Sequence, residues 1–329
     1  MIITQTPLRI SFAGGLTDLP DFYERHGGCV VSSTIDKFIY VIINERFDDK
    51  IYINYSQKEI VDSVDEIQHD LVREAMKTTG ITAGVEITTL ADVPSEGSGL
   101  GSSSSVTVGL LNALYTFRGD LQPAGRLAEE ASEIEIERCG KPVGKQDQYI
   151  AAYGGLRCFN FHKAGTVDAE RLPLDNDQKR YLSENLMLIY TDRTRSADTV
   201  LEEQKGRMIE KHGHVDNIKQ LAIETQQTLS SGNIDALGEI LDRGWQWKRG
   251  MSNRVSDDAI DAIYHRAQDA GAIGGKLCGA GAGGFFMLYC PHHLQSQVRS
   301  ALSEYRELPF NLERDGSKVI FNMRRYEWK

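Results

Sequence analysis

A chain of 329 residues, 40% hydrophobic, 8% aromatic and 26% charged, has material for two folding units of ordinary size, which excludes a disordered, collagen-like or low-complexity protein. Its 47 acidic against 37 basic residues leave a net charge of −10. That is the wrong sign for holding a polyanion by counterion release, so neither nucleic acid nor an anionic membrane is expected as a partner.

The N-terminus, Met1 to Pro7, lacks a basic start and an apolar h-region and reads as a first strand, Ile2 to Thr6, which makes a cytoplasmic location the expectation. Further strands are predicted at Gly28 to Ile35, Phe38 to Ile43, Ile51 to Tyr55 and Val85 to Leu90, all rich in β-branched and aromatic residues. From Ser104 the apolar positions Val106, Leu110, Ala113, Leu114 and Phe117 follow a helical period. A second helix starts near Pro123 and ends before Gly140-Lys141-Pro142. Strand signals return at Gly155 to Phe161 and Leu186 to Thr191, and one long helix is predicted from about Ala197 to Leu229. The last segment reads strand (Phe285 to Cys290), helix (Leu294 to Tyr305), strand (Phe310 to Arg314), turn, strand (Val319 to Arg325), the pattern of an α+β sandwich. The longest apolar runs have strand length and fall far short of the roughly 20 residues of a membrane helix. The five cysteines are scattered without a C-x-x-C, and the eight histidines show no ligand spacing, so neither a disulfide framework nor a zinc site is expected.

Three segments carry chemistry. Pro94-Ser95-Glu96-Gly97-Ser98-Gly99-Leu100-Gly101-Ser102-Ser103-Ser104-Ser105 runs from a strand end through glycines into a helix, the layout of a phosphate cradle in which backbone N–H groups and the helix N-terminus meet phosphate oxygens. A dinucleotide fold fails on context, because the sixth position of Gly97-x-Gly99 is Ser102 and no second strand precedes Asp120. G-x-x-x-x-G-K-[ST] appears nowhere, which removes the P-loop reading. A second glycine loop, Lys276 to Gly284, leads into the strand at Phe285 and is expected to pack against the first loop or the nucleotide. At the N-terminus, Pro7 to Asp18 places Arg9 in a strand and Asp18 beyond a glycine turn, where a helix N-cap is the alternative role for Asp18.

Together these segments resemble the three motifs of the GHMP kinase superfamily, named for galactokinase, homoserine kinase, mevalonate kinase and phosphomevalonate kinase, in the family's order from Pro7 to Gly284. The wording of the first segment and of Gly144 to Gly155 is similar to the D-glycero-D-manno-heptose 7-phosphate kinases, except that Leu16 stands where a third consecutive glycine would. The resemblance implies an α+β, two-domain fold. A ribosomal-protein-like N-terminal ATP-binding domain with a left-handed βαβ crossover would span residues 1–175, and a ferredoxin-like C-terminal domain residues 176–329.

It also implies roles. Asp147, before Gln148, would take or orient the substrate proton, and Arg9 would hold that carboxylate ionised and stabilise transferring charge. Gly97, Gly99, Gly101, Ser102, Ser103, Ser104 and Gly281 would bind ATP. Mg2+ would be held by Ser103, with Ser102 and Ser104 open as alternatives, and by Glu135. Glu135 is preferred over Glu133 and Glu137 because Ala128, Ala131, Ser132 and Glu135 share one helix stripe. Asp18, Thr194, Arg195 and Lys145 would meet the sugar substrate, with Arg193 and Lys141 further candidates for its phosphate. The two tryptophans of Trp245-Gln246-Trp247 fit either a core or a substrate wall.

The expected function is that of an ATP- and Mg2+-dependent kinase acting on the anomeric hydroxyl of a phosphorylated heptose, with ATP and a sugar phosphate as small-molecule partners and a homodimer left open. The rivals are another sugar kinase of the superfamily, for fucose or galactose, and a sugar-and-ATP-binding regulator without catalysis.

Overall fold

The computed structural model describes residues 1–94, 97–193, 197–208 and 210–323. Two long antiparallel strands, β1 (Ile2–Ala13) and β2 (Gly28–Glu45), frame the first half, joined through the short helix α1 (Pro20–His26). The two strands predicted on either side of Asp36 are one. The register with β1 passes from Pro7 opposite Phe38 to Leu8 opposite Ile35, so Asp36 and Lys37 bulge out. Asn311 holds the bulge by donating its backbone N–H and its side-chain amide to the Asp36 carboxylate, each at 2.9 Å. A bulge bends the strand.

β3 (Ile51–Asn54) and β4 (Lys58–Val61) form a hairpin, and the helix α2 (Asp70–Thr79) crosses over to β5 (Val85–Ala91), which pairs parallel to β3 and antiparallel to the end of β2. The helices α3 (Ser102–Arg118), α4 (Ala124–Ser132) and α5 (Gln146–Tyr153) follow, with a π-helical turn over Glu133–Arg138 extending α4. β6 (Leu156–Phe161) pairs with the start of β2, and β7 (Val167–Arg171) with β6. The sequence pattern missed α1, β4 and β7, which are short, and α2, although Leu71, Val72, Ala75, Met76 and Thr79 form one buried helical face.

α3 is buried nearly all round rather than along one face. Leu110, Ala113 and Leu114 are inside as predicted, but so are Val108, Leu111 and Thr107, because the sheet lies on one side and α2, α4 and α5 on the other. Gly109 permits the close approach: a Cβ there would lie 2.8 Å from Thr6 Oγ1.

Asp175 opens the second half with a capping box onto α6 (Asn176–Glu184). β8 (Leu186–Tyr190) leads to α7 (Ala197–Gly206) and α8 (His212–Ser230), two helices where one was predicted. Gly206 and Gly213 flank the break, and glycine is a poor helix former. Next come α9 (Leu237–Arg249), α10 (Asp258–Asp269), β9 (Gly274–Leu277), β10 (Phe285–Tyr289) and α11 (Gln295–Ala301), shorter than predicted. β8, β10 and β9 form an antiparallel sheet in that order. Trp245 is buried beneath it, edge-on to Phe286, which stacks on Tyr264; this tryptophan is core.

The chain end departs from the predicted sandwich. Residues 310–314 make a single bridge, Leu312 to Ile35, and the last described strand, β11 (Lys318–Asn322), pairs with β1 in the first sheet. Its outer residues Ile320 and Phe321 are partly exposed, so alternation alone did not show which sheet it joins. No helix among the described residues is long and apolar enough to cross a membrane.

Candidate active site

The two glycine loops interlock. Gly99 has φ +74, and a Cβ on it would lie 2.5 Å from the Cys278 carbonyl oxygen; one on Gly279 would lie 2.7 Å from Gly99 Cα. Gly284, at φ +84, similarly faces the carbonyls of Gly97 and Ser98, and Phe285 N donates to Ser98 O at 3.2 Å. No side chain fits at these crossings, so the glycines are needed for contact between the halves as well as for backbone freedom. Gly281 lies elsewhere, against Val255. Gly101, in the left-handed region, caps α3, whose first residues Ser102, Ser103 and Ser104 therefore present a helix N-terminus to the loop.

Arg9 and Asp147, 138 positions apart, meet as a fork. Arg9 Nε donates to Asp147 Oδ1 at 2.6 Å and Nη2 to Oδ2 at 2.5 Å, while Nη1 donates to the Gly99 carbonyl at 2.5 Å. Burial alone would lower the guanidinium's pKa; the charge and hydrogen bonds of Asp147 more than reverse this, so Arg9 stays charged. Asp147 sits in the first turn of α5 but does not cap it. Its side chain remains 22% exposed beside a cavity, within reach of a hydroxyl.

Asp18 caps no helix of its own; its oxygens accept at 3.1 Å from the backbone N–H and the side-chain amide of Gln146, at the start of α5. Gly144 makes room, since a Cβ there would lie 2.0 Å from Asp18 Oδ2. Burial pushes the Asp18 carboxyl up to about 6, opposed by the Gln146 N–H and aided by the charge of Asp147. Leu16, in place of the expected glycine, keeps a left-handed backbone at φ +80 and buries its side chain.

Of the three glutamates on the stretch after α4, Glu133 and Glu137 are exposed and Glu135 is fully buried. Ser103 Oγ donates to Glu135 Oε2 at 2.7 Å, Gln148 Nε2 donates to Oε1 at 3.1 Å, and Lys141 Nζ approaches Ser103 Oγ at 3.4 Å. Burial raises the Glu135 carboxyl's pKa against these partners. A hydroxyl and a carboxylate at a helix N-terminus are hard oxygen donors. They suit Mg2+, which takes one or two protein oxygens and fills its remaining positions with phosphate and water.

Arg9, Asp18 and Asp147 line one cavity, together with Ser11, Gln146, Gln204, Lys248 and Lys276. The sequence reading missed Ser11, Gln204, Lys248 and Lys276. Ser11 Oγ, Gln146 Oε1 and Gln204 Oε1 are buried without a hydrogen-bond partner, so each can accept from a ligand hydroxyl. The basic residues expected from sequence are not gathered there. Lys145 lies over the Tyr23 ring, Arg193 pairs with Asp257, and Lys141 sits near Ser103 and Asp70. Thr194 and Arg195 lie outside the described residues.

Residues 64–155 match the GHMP kinases N terminal domain and residues 201–307 the GHMP kinases C terminal domain. The chain is 33% identical over 305 residues to the D-glycero-alpha-D-manno-heptose 7-phosphate kinase of Campylobacter jejuni, covering 88% of this chain and 89% of that protein. This chain belongs to the GHMP kinases. The crystal structure of a D-glycero-D-manno-heptose 1-phosphate kinase from Bacteroides thetaiotaomicron superposes with a TM-score of 0.82 at 26% identity, over 98% of this chain and all of that one. The Lactococcus lactis galactokinase solved with galactose shares the fold, with a TM-score of 0.77 at 18% identity over 97% and 95% of the two chains. The protein is thus a sugar kinase, an ATP-using phosphotransferase with the two-domain GHMP architecture.

The raised Asp18 pKa has a stability consequence in this GHMP kinase. A carboxyl that titrates near 6 when folded and near 3.8 when unfolded binds more protons in the folded state between those values, so its contribution to stability is lost as pH rises from about 4 to about 6. Asp18→Asn removes that loss. Thermal melts across pH 4 to 7 should show the variant gaining on the wild type as pH rises, by an amount on the order of 3 kcal/mol at neutral pH; a pH-independent difference would place the Asp18 pKa near its ordinary value.

Proposed function

We propose that this GHMP kinase transfers the γ-phosphoryl group of ATP to the anomeric hydroxyl of D-glycero-D-manno-heptose 7-phosphate, a step toward nucleotide-activated heptose in the cytoplasm. The observation that carries the reading is the convergence of Asp147, Arg9 and Asp18 on one cavity that also holds two lysines, in a chain with a heptose 7-phosphate kinase relative across most of its length.

In this reading the acceptor lies in the cavity with its anomeric hydroxyl at Asp147. Asp147 accepts the proton as the new O–P bond forms and the bond from the γ-phosphorus to the bridging oxygen breaks, releasing ADP. Arg9 fixes the carboxylate's orientation by its two-toothed contact and adds positive charge beside the moving group. Asp18 and the unpartnered oxygens of Ser11, Gln146 and Gln204 bind sugar hydroxyls. Backbone N–H groups of the Gly97 to Ser104 loop and the start of α3 receive the ATP phosphates. Ser103 and Glu135 would hold Mg2+, which would supply positive charge to neutralise the phosphates. The solved Bacteroides relative carries heptose 1-phosphate in its name, so the position of the acceptor's own phosphate is the point to test.

Measured with ATP, heptose 7-phosphate should exceed unphosphorylated heptose, heptose 1-phosphate, fucose and galactose by about 100-fold or more in kcat/KM, since two charge-assisted contacts supply a few kcal/mol. Equal turnover of the unphosphorylated sugar, or a preference for fucose or galactose, would sink the heptose-phosphate assignment and leave the kinase assignment standing. In the same assay Asp147→Asn should lower kcat by about two orders of magnitude or more while ATP affinity stays within a few fold. Turnover near wild type would make Asp147 structural.

Glu135→Gln keeps the side chain's shape and removes an anionic oxygen beside Ser103. The Mg2+ concentration for half-maximal rate should rise several-fold. An unchanged titration would remove Glu135 from the metal site.

A further inference from the structure

Resting on the reading of the acceptor as a phosphorylated sugar, we propose that Lys248 of α9 and Lys276 of β9 form an anion-binding floor of the acceptor cavity and hold the acceptor's phosphate. Lys276 is only 9% exposed and Lys248 is half-buried, yet their ammonium groups meet backbone carbonyls alone. Lys248 Nζ donates to Leu277 O at 3.0 Å and Gly279 O at 2.5 Å, and Lys276 Nζ donates to Phe12 O at 3.3 Å. Neither forms an ion pair with a carboxylate among the described residues. An ammonium has three donors, so one on Lys248 and two on Lys276 remain unused, at side chains that line the cavity.

Nearby basic residues behave differently. Lys205 pairs with Asp21, Arg193 with Asp257, Arg249 with Asp261 and Arg254 with Glu203. Within the cavity three basic side chains, Arg9, Lys248 and Lys276, face two carboxylates, and Asp147 is already taken by Arg9. Withdrawing an ammonium from water without a counter-ion is costly, and a dianionic phosphate is the ligand that offsets two such charges together. The groups facing the pair are Arg9 from β1, Asp18 and Asp147 from the cavity wall, and Cys278 at the end of β9. Burial pushes Lys276 down to about 8 and Lys248 well below the usual lysine range, with each other's charge or that of Arg9 adding to the fall; an arriving phosphate reverses this and draws protons onto the lysines.

The test compares kcat/KM for heptose 7-phosphate and for unphosphorylated heptose in the wild type, Lys248→Met and Lys276→Met, each checked for a native thermal transition. Either substitution should shrink the preference for the phosphorylated sugar by about tenfold or more, mainly through KM for that sugar, and Lys248→Arg should restore part of it. Equal losses on both sugars, or a loss that falls on KM for ATP, would assign the lysines to the nucleotide or the fold and overturn the proposal. A second measurement needs no variant: in the wild type the ratio of the two kcat/KM values should fall as pH rises through about 8, where Lys276 loses its proton. A ratio flat from pH 7 to 9 counts against the lysines. A wild type without preference for the phosphorylated sugar rejects the acceptor assignment itself, whereas a preference that survives both substitutions rejects only the lysine floor.

Discussion

The fork between Arg9 and Asp147 is the interaction on which the site depends. Arg9 stands in the middle of β1, two residues past the bulge of β2, with its backbone N–H bonded to Leu100 and its third guanidinium contact on Gly99. One side chain therefore ties the central strand, the first glycine loop and the start of α5 together. Two charges withdrawn from water stabilise only when their hydrogen bonds are complete. Here the fork supplies two and the Gly99 carbonyl a third; removing one partner of such a pair costs about 3–5 kcal/mol because the other charge is stranded. The same rigidity suits transfer of a phosphoryl group, where placing the acceptor matters more than covalent help from the protein.

Glycine contacts extend that rigidity across the molecule. Gly99 against Cys278 and Gly284 against Ser98 leave no space for a Cβ, and β11 pairs with β1, so the last part of the chain is fastened to the first at two separate places. A cavity lined from β1, α5, α7, α9 and β9 gets its shape from these junctions. The first glycine loop and the proposed acceptor floor are joined directly, because Leu277 and Gly279, which hold Lys248, flank the Cys278 carbonyl that meets Gly99.

Much of this was legible in the sequence, for stateable reasons. Glu135 stood out from Glu133 and Glu137 by lying on a small-residue stripe, and burial separates the three along the same line. The two glycine loops announced a close approach of backbones, and the motif order announced which segments would meet. Lys248 was not legible. It lies in Trp247-Lys248-Arg249 at a helix end, where basic residues ordinarily complement the helix dipole and face water, and nothing local reveals that α9 turns this one toward the cavity. Lys276 reads only as the start of a loop, because a lysine in a four-residue strand carries no signal of burial. The return of β11 and the bulge at Asp36 were invisible too, since partners 275 or more residues apart decide them.

Leu16 shows how such long-range packing can overrule a local rule. The resemblance to the heptose kinases implies glycine at position 16, and the left-handed backbone that Leu16 adopts costs a side-chain-bearing residue on the order of 1–2 kcal/mol. Leu16 is nevertheless buried with Leu19, Phe22, Met208, Val215, Ile218 and Met251. Burying a leucine is worth about 1.5–3 kcal/mol, enough to offset the backbone term. With Leu19 and Phe22, Leu16 binds the loop carrying Asp18 to α8 and to the segments after α7 and α9. An Asp18 held in this way would lose less conformational entropy on meeting the proposed sugar hydroxyl, so the strain at Leu16 would serve to preorganise the cavity wall.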